Sequence, residues 1–130
     1  MKRPLLTLAV LGILIAGCGD TTQTSTTDAE RRGGVDSFGM ELFEERVVGG
    51  SPGCVTCHSL EEDVTLVGPS LFAIESPVDG LTTAEYVRQS ILEPDAYVVD
   101  GFVAGQMYPG WDQYLTPEQI DSLVVLLADG

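Results

Sequence analysis

The chain is 130 residues long and carries 20 Asp and Glu against six Lys and Arg, a formal net charge of −14. Such a balance argues against a nucleic-acid binder and against an electrostatic hold on anionic lipid, because both ligands repel an acidic surface. The acidity either serves solubility alone or favours a partner with a basic docking patch, association then weakening with salt.

The N-terminus reads as an export signal. Lys2 and Arg3 give a short positive segment, and the apolar run from Leu5 to Ala16 is too short for a comfortable membrane span of about 20 residues. The run closes on Ile15-Ala16-Gly17-Cys18, which resembles the lipobox of bacterial lipoproteins. That resemblance implies cleavage after residue 17 and acylation of Cys18. The alternative is an ordinary secretory signal followed by a stray cysteine. From Gly19 to Gly34 the chain is rich in Thr and Ser and has no large apolar side chain. Residues 18–35 therefore read as an acylated cysteine and a flexible tether with a span of roughly 20–25 Å. The remaining 36–130 suffices for one domain, and no internal repeat is visible. Once the signal is removed, Arg31, Arg32, Arg46 and Arg88 are the only Lys or Arg residues left.

Asp36 or Ser37 can cap a first helix running to about Val48 and ending at Gly49-Gly50. Phe38, Leu42, Phe43 and Val47 fall mostly on one of its faces. Next comes Cys54-Val55-Thr56-Cys57-His58, the C-x-x-C-H pattern by which a c-type haem is attached. Two thiols at this spacing reach the two vinyl groups of one porphyrin, and the following imidazole is held under the ring as an iron ligand. A structural zinc site needs four ligands, whereas His58 is the sole histidine. A thioredoxin-like pair calls for a neighbouring βαβ pattern, which is not seen. A plain disulfide leaves His58 without a role. Haem c attachment takes place outside the membrane, so signal and motif support each other. The acidic run Glu61-Glu62-Asp63 is either a docking patch or, as such runs more often are, a solvated loop.

Further along, Thr82-Thr83-Ala84-Glu85 is a capping-box pattern, with Leu81 and Tyr86 spaced as a hydrophobic staple. The helix it opens should stop before Pro94. Thr116-Pro117-Glu118-Gln119 opens a last helix with a cap, a first-turn proline and a box partner. Ile120, Leu123, Val124 and Leu127 then repeat at i, i+3, i+4 and i+7. No segment alternates like a strand for long, so the expected class is all-α.

The order Gly39-Met40-Glu41-Leu42-Phe43, C-x-x-C-H, Gly68-Pro69-Ser70-Leu71, a methionine and a final amphipathic helix resembles a class I monohaem cytochrome c over residues 36–130. Tyr86 to Pro94, with Gly101-Phe102, is similar to cytochrome c domains fused to bacterial cytochrome oxidase subunits II. The resemblance implies a cytochrome c fold, three main helices plus short turns around one covalent haem. It implies that the first and last helices cross at Gly39, near Phe43 and Leu123. It also implies that the carbonyl of Pro69 accepts a hydrogen bond from His58. The sixth iron ligand is sought among the methionines. Met1 leaves with the signal and Met40 lies in the first helix, where methionine usually fills gaps. Met107 sits in the loop Gly105 to Gly110, as the family's ligand does before its last helix. Many relatives carry proline directly after that methionine, whereas here Tyr108 precedes Pro109. Arg88, Tyr97 and Trp111 have polar hydrogens that could reach haem propionates, or are respectively a surface residue and core aromatics.

The function implied is one-electron transfer without catalysis and without a small-molecule substrate. The carrier would be lipid-anchored on the outer face of a bacterial cytoplasmic membrane. Its partners would be respiratory or photosynthetic redox complexes. Two alternatives stay open: a fixed electron-wire subunit of an oxidase or dehydrogenase, and an open-site haem sensor or enzyme.

Overall fold

The computed structural model describes residues 37–129. The signal segment, Cys18, the tether and Asp36 lie outside the described residues. Residues 37–44 form helix α1, which ends four residues earlier than the sequence suggests. Val47–Val48 (β1) instead pairs antiparallel with Ser51–Pro52 (β2), Val47 opposite Pro52 and Val48 opposite Ser51. Gly49 and Gly50 have φ of 59° and 86°. Two successive left-handed residues make the turn that matches strand twist in a two-residue hairpin. The glycine pair is thus a hairpin turn and not a helix cap, and β-branched Val47 and Val48 suit the extended backbone beside it. As a result Val47, expected on the buried face, is 65 % exposed, and Phe38 is exposed as well.

The hairpin feeds directly into α2, Cys54–Cys57, a single turn closed by the His58 amide donating to the Cys54 carbonyl. The Arg46 carbonyl accepts from the Gly53 amide at 2.8 Å and from the Thr56 hydroxyl at 3.2 Å, tying hairpin to turn. A long irregular segment follows, anchored back by the Gly68 amide to the Cys57 carbonyl and the Leu71 amide to the Ser59 carbonyl, both 2.8 Å.

Helix α3, Thr83–Leu92, opens with the expected capping box: the Thr82 hydroxyl accepts from the Glu85 amide and the Glu85 carboxylate accepts from the Thr82 amide. It stops at Glu93, before Pro94. Helix α4, Pro117–Ala128, has the second box, Thr116 with Gln119. Ile120, Leu123, Val124 and Leu127 are all buried. They join Leu42 and Phe43 of α1 with Val87 and Ile91 of α3 in one core. The packing of α1 on α4 turns on Gly39. A Cβ there would overlap the Ser122 carbonyl oxygen and lie 3.2 Å from the Leu126 Cβ. Only a residue without a side chain lets the two backbones approach so closely.

Candidate functional site

A cavity of about 460 Å³ opens among the helices. Its lining is mostly apolar and combines Cys54 and Cys57 of α2, the adjoining His58, and Val87 and Ile91 of α3. Leu123 and Leu127 of α4 and the loop residues Pro69, Tyr97, Met107 and Trp111 complete it. Its size falls within the range of small-molecule and cofactor sites.

His58 is the best-defined group. Its Nδ1 lies 2.9 Å from the Pro69 carbonyl oxygen. A carbonyl can only accept, so Nδ1 carries the proton and the neutral ring leaves the Nε2 lone pair free. Burial pushes the His58 pKa below its ordinary value, partly opposed by the Pro69 bond, so the ring stays neutral near pH 7. The ring is also wedged sideways. A Cβ on Gly68 would sit 2.8 Å from Nδ1 and 3.0 Å from Nε2. Glycine at 68 is therefore a condition for this ring position, a constraint the sequence marks only through the Gly68-Pro69 pair.

Cys54 and Cys57 are not joined to each other. Desolvation pushes the Cys54 thiol above its ordinary pKa, against a smaller opposing effect of a backbone hydrogen bond. A thiol-disulfide catalyst needs the opposite, a thiolate stabilised at low pKa. Among the described residues no three His, Cys, Asp or Glu side chains are grouped to hold a metal ion. Cys54, Cys57 and His58 therefore do not converge on a single zinc-sized point. What they can share is a broader group filling the cavity, and a haem fits this donor set: two thiols, a neutral imidazole with one free nitrogen, and a thioether. Met107 is half-buried against the core and lines the cavity, whereas Met40 lines a separate cleft of about 310 Å³.

The residues suggested for propionate contacts divide. Trp111 is buried and lines the cavity, its ring edge-on to Tyr108 at 5.3 Å. Tyr97 also lines it, 37 % exposed and edge-on to Tyr86 at 5.9 Å. Arg88 does not line it: its guanidinium pairs with Asp121 of α4 across the α3–α4 packing. Glu61, Glu62 and Asp63 are exposed, and Asp63 turns the chain with φ of 57°. Sequence reasoning missed Tyr114, whose ring lies 6.0 Å from that of Tyr108. It also missed Asp95, whose carboxylate accepts from the Gly105 amide at 2.8 Å. Neither belongs to a motif. No protein-family model matches the chain, and no curated protein matches it.

Proposed function

We propose that the chain is a single-haem c-type cytochrome, held at the outer face of a bacterial membrane through Cys18, that carries one electron at a time between membrane redox complexes. One observation carries this proposal: a neutral histidine, fixed by a backbone carbonyl with one nitrogen free, shares an apolar cavity with both cysteines of a C-x-x-C-H motif and with a loop methionine.

When bound, haem supplies an iron centre that gains and loses one electron at a potential set largely by its axial ligands. Cys54 and Cys57 would hold it by thioether links. His58 would present Nε2 to the iron, with the Nδ1 proton donated to Pro69 making it a stronger donor. Met107 would contribute a neutral thioether, which with histidine raises the potential. Val87, Ile91, Leu123 and Leu127 would give the bound ring an apolar wall. A tether over residues 18–35, as read from the sequence, would let the domain turn between partners while keeping it near the membrane at high effective concentration. Partners with basic docking patches suit its acidic surface.

The test is the optical spectrum of the full chain, matured in a host that attaches haem c and held in detergent. Spectra are taken oxidised, reduced, and reduced under carbon monoxide. A covalent low-spin haem with a ferric sulfur-to-iron band, unmoved by carbon monoxide, is the expected result. A high-spin ferric form or a prompt carbon monoxide shift would replace the carrier by an open-site sensor or enzyme.

A further inference from the structure

Met107 sits in a stretch with no regular structure. Between α3 and the 3-10 turn Trp111–Gln113 the chain has positive-φ glycines at 101 and 105, and Val103 is 64 % exposed. Upstream of Met107 the segment is pinned by the Asp95 carboxylate on the Gly105 amide. Downstream, Tyr108 is the anchor. Its ring is half-buried, edge-on to Trp111 at 5.3 Å and tilted 39° against Tyr114 at 6.0 Å. Two glycines make room for this cluster. A Cβ on Gly110 would lie 2.9 Å from both Cε1 and the hydroxyl oxygen of Tyr108, and a Cβ on Gly49 would overlap the Tyr114 ring. The residue beside Met107 thus packs on the turn that leads into α4 and, through Tyr114, on the hairpin that leads into Cys54.

Resting on the haem assignment above, we infer that Tyr108 is the positioning residue for Met107. It packs the methionine loop on the 3-10 turn through Trp111 and on Tyr114, whose ring lies against Gly49 of the hairpin, so that the thioether stays turned into the cavity. A loop without helix or strand bonds has little else to hold a side chain against thermal opening. Each detachment of Met107 would leave the sixth iron position open to an outside ligand.

The experiment uses the haem-loaded full chain. Two readouts are followed: the amplitude of the ferric sulfur-to-iron band, and the rate at which carbon monoxide binds the reduced protein. Tyr108→Phe removes the hydroxyl seated at Gly110 and Tyr114→Phe the hydroxyl of the neighbouring ring, and each should raise that rate about two- to fivefold. Tyr108→Ala also removes the ring contact with Trp111 and should raise it about fiftyfold, with visible loss of the band. Leu126→Ala, at the α1–α4 packing, serves as control: it should lower the melting temperature and leave both readouts unchanged. Parental behaviour in both Tyr108 variants, or an equal change in Leu126→Ala, would overturn the inference. Should Tyr108→Ala yield no haem-loaded protein, the two Phe variants decide. Prompt carbon monoxide binding by the parent would overturn the His58/Met107 ligation itself, and is seen before any variant is made.

Discussion

Replacing Cys54 and Cys57 together by alanine would remove the proposed covalent hold on haem and tests whether the domain is whole without it. The cavity of about 460 Å³ sets the scale. At about 24 cal/mol per Å³, an enclosed void of that size costs about 11 kcal/mol. That is an upper bound here, because the cavity opens to solvent and water can enter. A natural domain has only about 5–15 kcal/mol of net stability in total. Even half the bound would leave little to hold α3 and α4 together around the space between them. The double variant should therefore lose the cooperative thermal transition and most of its helical circular dichroism, and should bind a hydrophobic dye. The assay compares full chains with and without the substitutions, expressed in the same haem-attaching host. A haem-free chain that melts cooperatively within a few degrees of the parent would refute the reasoning, because α1, α3 and α4 would then suffice as a core.

Gly39→Ala gains up to about 1 kcal/mol of helix propensity but forces a methyl against the Ser122 carbonyl, backbone that cannot yield as a side chain would. A net loss of about 1–2 kcal/mol is expected in denaturant unfolding, and an unchanged midpoint would contradict the close α1–α4 approach. Gly68→Ala crowds the His58 ring and should weaken its bond to Pro69. In the proposed haem-loaded protein a weaker donor would favour the ferric state less, so the midpoint potential should rise by up to about 60 mV, read by potentiometric titration. An unmoved potential would show that the ring does not depend on Gly68. The Glu85 carboxylate lies below its ordinary pKa of 4.5 because the Thr82 amide, then the Thr82 hydroxyl, donate to it. A depressed folded-state pKa means that its stabilisation is present above 4.5 and lost as pH falls through the lower, folded value. Glu85→Gln should flatten that part of the acid unfolding curve, and identical acid limbs would rule the linkage out.

What could be read from the sequence was local. The boxes at Thr82 and Thr116 involve residues three apart, so composition alone marks them, and the apolar repeat of α4 identifies its buried face. The end of α1 depends on distant partners. Gly49-Gly50 serves equally as a helix stop or a hairpin turn, and the choice is settled where the Arg46 carbonyl meets the Gly53 amide and the Thr56 hydroxyl. Arg88 was open for the same reason: its partner Asp121 is 33 positions away, on another helix. The Pro69 contact with His58 was foreseen only through a family resemblance, since nothing in an isolated Gly-Pro pair says which imidazole it meets. The Tyr108 cluster was invisible because Gly49, against which Tyr114 lies, belongs to a hairpin the sequence did not suggest.

Arg88's engagement with Asp121 changes the electrostatics of the cavity. Among the described residues the lining has no Lys or Arg, while Glu75 and Asp95 contribute carboxylates. Trp111 and Tyr97 are the neutral donors there that the propionates of the proposed haem could use. Negative charge close to the iron favours the ferric state and lowers the potential. The Met107 thioether, neutral and weakly donating, pulls the other way. The two effects differ in reach: carboxylates near a solvent-open mouth are screened, whereas an axial ligand acts directly on the metal. If the proposed haem is bound, the ligand should therefore dominate the potential and the carboxylates should trim it. On that proposal the loop holding Met107, and not the surface charge, would be the element on which a stable potential depends. The acidic surface would then act on encounter with a basic partner, where long-range charge governs rate.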